Sequence, residues 1–297
     1  MTCELAIIGA GPAGMAAAIR AAALGIDTVL LDEQTEPGGQ IYRAIETVQR
    51  TRAGDLAILG EDYAEGAALA AAFRASGSGY EPGSVVWQVR DDGGIGISRG
   101  GTSRILTAQR ILIATGAMER PVPIPGWTLP GVMGAGAAQA LLKASGVVPD
   151  GPVVIIGAGP LIYLIATQLV RAGVPIGAVL LTGRELGTTD ALKVAPSALR
   201  TSRTLLKGLG WMSELRGAGV RMVYGVSQLV IEGAAQAEAV SYTHDGARLR
   251  VPASLVLLHN GVLPGTQLSR GAGSSMPSGL TRFSQVQHSL NVFFCNF

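Results

Sequence analysis

The sequence predicts an α/β fold that contains the same strand–turn–helix unit twice. Residues 5–32 pass from an apolar segment through GAGPAG at 9–14 and an alanine-rich helix to a second apolar segment. A related segment begins with VVIIGAGP at 153–160, and each copy is followed by alternating residues and turns, at 84–113 and at 227–251. These observations predict two nested Rossmann-like dinucleotide-binding domains, each with a parallel sheet and a β-meander.

The first copy contains the residue types that bind a dinucleotide, in the expected order. Gly9 permits a tight turn, Gly11 lets the backbone approach a pyrophosphate, and Gly14 lets the helix pack close to the strand. The N-terminus of that helix would face the phosphates with its positive dipole. Asp32 ends the second apolar segment, close to the spacing of about 20 residues expected for an acid that binds the ribose hydroxyls.

The length of 297 residues fits about two domains. We expect the first nucleotide-binding domain over residues 1–118 and the second over residues 119–250. Residues 251–297 are then expected to return to the first domain in a truncated or divergent form. The proline-rich segment at 120–126 is stiff and extended, as a connection between domains should be.

The composition argues against several classes of function. The chain has 23 basic and 21 acidic residues and a formal net charge of +2, so nucleic-acid and membrane-surface binding are not expected. Cys3 and Cys295 are far apart and form no CxxC pair, which argues against a redox dithiol and a cysteine-ligated metal site. The N-terminus lacks a signal peptide, and the apolar helix near 161–170 is too short to span a bilayer, so we expect a cytoplasmic protein.

The second copy departs from the first at two positions. Its candidate binding residues are Gly157, Gly159 and Pro160. Ile162 replaces the third glycine and would hold the helix away from the strand, and Leu180 stands where the first copy has Asp32. Arg184 could instead meet a phosphate. Three interpretations stay open: an NAD(P) site, a site for another adenine nucleotide such as ATP, and a structural repeat without a ligand.

Further motifs indicate a family. They are PGGQIYR at 37–43, RPVPIPGWTLPGVM at 120–133 and LLHNGVLPGTQL at 257–268, and they accompany GAGPAG and GAGP. Over roughly residues 3–268 the chain resembles the pyridine-nucleotide-disulfide-oxidoreductase-like flavoproteins. Within them it is most similar to the A or alpha subunit of heteromeric opine, proline and hydroxyproline dehydrogenases, to which a hydrogen cyanide synthase subunit is related.

The resemblance implies FAD as the cofactor of the first domain. In the family pattern, the adenine contacts backbone atoms at Val86, and Thr115 and Gly116 border the crevice that holds the cofactor. The site residues that the resemblance implies are Gly9, Gly11, Pro12, Ala13, Gly14, Asp32, Glu33, Gly39, Gln40, Arg43, Val86, Ala114, Thr115 and Gly116.

The resemblance also implies how such a chain works. It would be an FAD-dependent oxidoreductase that relays electrons from an amine-oxidase-like beta subunit, on which a secondary amine or imino acid is oxidised. This fits a sequence without a convincing catalytic acid or base. Two alternatives stay open: a stand-alone NAD(P)H-dependent flavin reductase, and a non-catalytic adenine-nucleotide-binding scaffold subunit.

Two further observations concern the C-terminal part. Residues 269–297 lack the Gly-Asp motif whose acid contacts the flavin in the family, and they lack its frequent cysteine-rich iron–sulfur module. We expect this segment to reflect a truncation or a frameshift. His259 ends an apolar segment, and we expect it to be a packed core or crevice histidine rather than a catalytic group.

Overall fold

A computed structural model describes residues 2–183, 202–271 and 292–294. The chain divides into two compact units, of which the second comprises Glu119–Val262 and the first comprises the described residues before and after it. The sequence-based expectation placed the second boundary after residue 250. The structure places it later because the strand Leu255–Asn260 pairs with Val153–Ala158 inside the second unit. Arg184 and most of the segment 269–297 lie outside the described residues.

The first unit is built on a mixed sheet, in which β1 (Thr2–Ile8), β2 (Thr28–Asp32), β3 (Gly79–Pro82), β4 (Val85–Val89), β5 (Gly94–Arg99) and β6 (Thr102–Ile113) have the order β3-β2-β1-β6-β5-β4. Strands β1, β2, β3 and β6 are parallel to their neighbours in the order β3-β2-β1-β6, whereas β4, β5 and β6 form an antiparallel meander.

The helices of the first unit lie between its strands, and the first of them has one apolar face that is buried. Alanines and Met15 form the buried face of the first helix, and Pro12 suits its first turn because proline needs no N–H partner there. The helices are α1 (Pro12–Ala23), α2 (Ile45–Thr51), α3 (Asp55–Leu59), α4 (Glu61–Ala64) and α5 (Gly66–Ala75).

Two short strands connect the units, and they pair with each other as a two-stranded sheet. They are β7 (Ala117–Glu119) and β16 (Val262–Pro264). After β16 the chain returns to the first unit through α9 (Gln267–Gly271), and β17 (Val292–Phe294) pairs in parallel with β6.

The second unit repeats the architecture of the first. A parallel sheet has the strand order β11-β10-β9-β15-β8, and an antiparallel meander has the order β12-β13-β14. The sheet strands are β8 (Val132–Gly134), β9 (Val153–Ala158), β10 (Ile176–Leu181), β11 (Met222–Tyr224) and β15 (Leu255–Asn260). The meander strands are β12 (Ser227–Glu232), β13 (Ala239–His244) and β14 (Ala247–Pro252). The helices are α6 (Ala135–Ser145), α7 (Pro160–Arg171) and α8 (Ser202–Gly217).

These observations confirm the predicted α/β fold with two nested Rossmann-like halves. In each unit, the carboxyl ends of neighbouring parallel strands meet at one edge of the sheet, which is where such folds bind ligands. In the described part of the chain, no helix combines the length and the hydrophobicity that crossing a bilayer requires.

Candidate functional site

The first glycine-rich turn connects β1 to α1 with very little space around it. Gly9 has a φ of +105°, and a Cβ at this position would lie 2.5 Å from the carbonyl oxygen of Ala114, at the end of β6. A Cβ at Gly14 would overlap the carbonyl oxygen of Gly9. The two glycines therefore let the turn sit against the strand end and let α1 pack onto it. This tight turn directs the first-turn N–H groups of α1, from Ala13 onward, over the sheet edge.

Asp32 lies beside this turn, at the end of β2. Its side chain accepts hydrogen bonds from the backbone N–H of Ala10 and, at 2.7 Å, from that of Gln34. Burial raises the pKa of this carboxyl above its usual value of 3.8, while the two backbone hydrogen bonds act in the opposite direction. The carboxylate is thus held in one orientation at the strand end, where a ribose hydroxyl could donate to it.

The loop that contains PGGQIYR folds over the same turn. The N–H of Gly38 donates to the carbonyl oxygen of Ala10 at 2.8 Å. Farther along the loop, the Arg43 side chain donates to the side-chain oxygens of Gln40 at 3.1 Å and Gln34 at 3.0 Å. Arg43 also lowers the pKa of Asp32 through its charge, although this is a smaller influence than burial.

A cleft of about 170 Å³ opens over the ends of these strands. Its lining includes five residues that the sequence predicted to bind the cofactor: Gly9, Asp32, Glu33, Val86 and Thr115. The other lining residues are Ile8, Leu31, Ser84, Val85 and Leu268. An acid, a serine hydroxyl and apolar side chains in one concave space are typical of a small-molecule site.

Ser84 is a lining residue that sequence reasoning missed. Its hydroxyl oxygen is buried and has no hydrogen-bond partner among the described residues. Its backbone N–H donates to the carbonyl oxygen of Asp32 at 2.8 Å, which fixes it beside that acid. A buried polar atom without a partner is rare in native proteins, and this hydroxyl is free to form a hydrogen bond with a ligand in the cleft. No spacing rule identifies such a serine, because it follows a glycine in an ordinary turn.

The segment after β6 is held by the returning chain. The Thr115 hydroxyl donates to the carbonyl oxygen of Gly265 at 3.0 Å, and the N–H of Gly265 donates to the carbonyl oxygen of Gly116 at 2.8 Å. Leu268 follows and packs against the core of the first unit. Of the predicted residues after β6, Thr115 lines the cleft, whereas its neighbours Ala114 and Gly116 do not. Pro12 and Ala13, which begin α1, are also not among the lining residues.

These features fit the ADP half of an adenine dinucleotide such as FAD. The glycines allow the close backbone approach at the start of α1 that a diphosphate site requires, and an oriented carboxylate and a hydroxyl without a partner could bind polar groups of the sugar and base.

The second glycine-rich turn has a different environment. Gly157 has a φ of +140°, and a Cβ there would overlap the carbonyl oxygen of His259 on β15. Ile162, at the position that corresponds to Gly14, is completely buried in the core of the second unit. The sequence-based expectation that Ile162 holds α7 away from the strand stays a prediction. Leu180 is also buried, so β10 presents no acid at the position that corresponds to Asp32.

A hydrogen-bonded pair of side chains, His259 and Glu119, lies next to this second turn. The Nδ1 of His259 is 2.6 Å from the Oε1 of Glu119, and the other carboxylate oxygen of Glu119 accepts the N–H of Gly136 at 3.0 Å. The His259 side chain is only 4% exposed, so the expectation of a packed histidine was right about its burial. The pairing itself was missed, because 140 residues separate its members.

Comparison with known proteins identifies the family. Residues 3–284 match the family model described as pyridine nucleotide-disulphide oxidoreductase. The chain belongs to this family. Membership confirms the resemblance predicted from the motifs.

Within the pyridine nucleotide-disulphide oxidoreductase family, the chain is similar to subunits of larger enzymes. It is 45% identical over 281 residues to the opine oxidase A subunit from Agrobacterium tumefaciens, covering 92% of this chain and 55% of that protein. It is 31% identical over 292 residues to hydrogen cyanide synthase subunit HcnB from Pseudomonas protegens, covering 92% of this chain and 59% of that protein. The chain thus spans a little more than half the length of these relatives.

Solved structures of the same fold support the assignment of the architecture. Bacillithiol disulfide reductase from Bacillus cereus has a TM-score of 0.68 at 19% identity, with 99% of this chain and 90% of that chain covered. L-proline dehydrogenase from P. horikoshii has a TM-score of 0.62 at 17% identity, with 99% of this chain and 50% of that chain covered. At these identities the likeness concerns the fold alone.

Proposed function

We propose that this chain is the FAD-binding subunit of an oxidoreductase that acts on opines, proline, hydroxyproline or related secondary amines. The observation that carries the proposal is the cleft of the first unit, where Asp32 is fixed by two backbone N–H groups beside the orphaned hydroxyl of Ser84. Family membership supports the chemistry, and the names of the relatives support the role of a subunit.

The residues of the first unit would bind and orient the cofactor. The turn at Gly9–Gly14 would receive the diphosphate, with Gly39 closing over it, and Asp32 would accept hydrogen bonds from the ribose. Thr115 would border the flavin-bearing half of the crevice. When bound, FAD supplies the electron transfer, and the protein supplies its binding, orientation and electrostatic environment. No described residue is assigned a role as a catalytic acid or base.

We further propose that the amine is oxidised on an amine-oxidase-like partner subunit. The opine oxidase and hydrogen cyanide synthase relatives are both named as subunits, which supports an assembly of this kind. The first unit would then accept electrons from the partner and pass them on.

The experiment that tests the cofactor assignment uses the purified full chain and an Asp32→Asn variant. An amide offers one acceptor oxygen where two backbone N–H groups and a ribose hydroxyl all need one, so this variant should lose most of its flavin absorbance. Asp91→Asn, in an exposed turn between β4 and β5, is the matched control and should retain it. Equal flavin content in all three proteins, or none in the wild type, would contradict the proposal.

The test of the partner assignment is co-expression with an amine-oxidase-like subunit. We expect flavin reduction by an opine or proline only in the mixed complex. Rapid bleaching by NADPH without the partner would instead favour a stand-alone flavin reductase, for which the second glycine-rich turn at Gly157–Gly159 is the supporting feature. Binding of ATP without any affinity for FAD would favour a non-catalytic scaffold.

A further inference from the structure

A second concave space in the first unit, the amino-end pocket, lies where β2 and β3 begin. Its lining comes from the end of α1 and the turn into β2, residues 22 and 25–29, and from residues 76–79 between α5 and β3. Its volume of about 310 Å³ reaches the range in which proteins bind small molecules. Asp27 directly precedes β2 and Asp32 ends it, so roughly 16 Å of strand separate this pocket from the cofactor cleft.

The hydroxyl groups of the amino-end pocket offer oxygen lone pairs rather than hydrogens. Thr28 and Ser78 donate their hydrogens to main-chain carbonyl oxygens at 2.9 Å and 3.0 Å. Ser76 donates to another main-chain carbonyl oxygen at 2.7 Å. Since a hydroxyl has a single hydrogen to donate, all three side chains can only accept a hydrogen bond from a ligand.

The main-chain N–H groups of the turn into β2 are also used within the protein. Those of Gly25 and Ile26 donate to carbonyl oxygens in the last turn of α1 at 2.9 Å and 3.1 Å. That of Asp27 donates to the Glu4 carboxylate at 2.9 Å. An anion, which needs donors, would therefore find little to bind in this turn, whereas a ligand rich in donors would find acceptors.

The charges around the amino-end pocket favour a cation. Asp27 is the charged residue of the lining, and its carboxylate forms no hydrogen bond or ion pair with the residues that the structure describes. Helices α1 and α5 both end at the pocket, and a helix C-terminus carries partial negative charge. The arginines in their last turns, Arg20 and Arg74, are not lining residues, and Arg74 is paired with Glu46 at 2.9 Å.

We propose that the amino-end pocket binds a guanidinium group, with the Asp27 carboxylate as its partner. A guanidinium is planar, permanently charged and has five N–H donors but no acceptor, which matches a carboxylate surrounded by hydroxyl oxygens. It is also more weakly hydrated than an ammonium, so it loses less on leaving water. The proposal goes beyond the function assigned to the cofactor cleft, because it gives the first unit a second ligand at the other end of β2.

The test is a titration of the purified full chain with methylguanidinium, followed through the NMR amide signals of Gly25 and Gly77, which line the pocket. We expect saturable shifts with a dissociation constant on the order of 1 mM, which so small a ligand can reach. Methylurea has the same shape without the charge and should not bind, and methylammonium should bind more weakly. The absence of saturable shifts with methylguanidinium, or equal or tighter binding of either other compound, would overturn the proposal.

Asp27→Asn tests the partner of the guanidinium. The amide keeps the shape of the side chain but removes its charge, so affinity for methylguanidinium should fall about tenfold. Asp91→Asn is the matched control, because Asp91 is an exposed aspartate in the turn between β4 and β5 and does not line the pocket. It should bind as the wild type does. Equal affinity in Asp27→Asn and the wild type would refute the proposed contact.

Two further ligands distinguish the sources of a guanidinium. Tighter binding of free arginine than of a glycine-flanked arginine peptide would assign the pocket to a small molecule, and the reverse would assign it to an arginine side chain of another protein. Flavin absorbance of the same samples reports separately on the proposed function. It should not change when methylguanidinium is added, because the two ligands occupy opposite ends of β2. A chain that binds methylguanidinium but no flavin would contradict the proposed function alone.

Discussion

Gly39 lies so close to Gly11 that a Cβ on Gly39 would come within 2.8 Å of the Gly11 Cα. Gly39 also has a φ of +59°, a left-handed conformation that side chains rarely adopt. The PGGQIYR loop and the first glycine-rich turn therefore touch, backbone against backbone. The contact explains why glycine is needed at residue 39, which no spacing rule for dinucleotide-binding turns includes.

Gly39→Ala should lower flavin affinity, and this loss should exceed the loss caused by an alanine at another glycine with the same left-handed backbone. The new methyl group would push the loop away from Gly11, whereas the left-handed backbone alone costs about 1 kcal/mol. Gly100→Ala is the matched control, because Gly100 has a φ of +56° and nothing within 4 Å of its Cβ position. Flavin titration and thermal unfolding of both variants make the comparison, and equal flavin affinity would rule out a binding role for this contact.

Ser84→Ala should lower flavin affinity without lowering the stability of the apoprotein. Removing a buried hydroxyl without a partner is neutral or stabilising for the apoprotein, while a bound nucleotide would lose one hydrogen bond, about tenfold in affinity. Ser78→Ala is the contrast, since its hydroxyl donates to the Ala18 carbonyl oxygen at 3.0 Å. That variant should unfold at a lower temperature and bind flavin normally. Destabilised Ser84→Ala with unchanged affinity would show a purely structural serine.

The raised pKa of Asp32 gives the apoprotein and the complex opposite pH trends. Since burial favours the protonated form, apoprotein stability from this group is fully present below its usual pKa of 3.8 and is lost as pH rises through the raised value. Ribose hydroxyls donate to the carboxylate, so flavin affinity should rise with pH over the same window. Titrations at several pH values, in the wild type and in Asp32→Asn, measure both trends. A pH dependence that persists in the variant would assign it to another group.

The ion pair between Arg171 on α7 and Glu214 on α8 should contribute modestly to the second unit. Its two hydrogen bonds are each 2.7 Å long, and Arg171 holds the pKa of the Glu214 carboxyl below its usual 4.5. The stabilisation is therefore fully present above pH 4.5 and is lost as pH falls through the lowered pKa. Arg171→Lys should cost about 1 kcal/mol or less in the free energy of unfolding, because the pair is partly exposed. Urea unfolding near neutral pH tests this, and a loss of several kcal/mol would show that the pair does more than link the helices.

The sequence was sufficient for the parts of the site that local spacing determines. Gly9, Gly14 and Asp32 lie within one strand–turn–helix–strand unit, so the order of residues along the chain determines their arrangement in space. Thr115 follows β6, which the sheet order places next to β1. Ser84 precedes β4, at the other edge of the sheet, and only the hydrogen bond of its N–H to the Asp32 carbonyl oxygen reveals that it lies beside this acid.

The pairing of Glu119 with His259 could not be predicted from the sequence for the same reason. Glu119 and His259 lie at opposite ends of the second unit along the chain, and neither position follows a periodic pattern. The boundary expected after residue 250 was also placed too early, because an apolar segment such as Leu255–Asn260 fits either parallel sheet. Its register with Val153–Ala158 decides the matter.

The pairing of Ala117–Glu119 with Val262–Pro264 has a consequence for how the gene could be rearranged. The chain leaves the first unit through β7 and returns through β16, and these two strands are paired. If the segment between them were deleted, a short hairpin turn could join the two strands. The remaining half keeps every strand of its own sheet. Replacing the second unit at this junction would thus keep in place the strands whose ends surround Asp32 in the first unit.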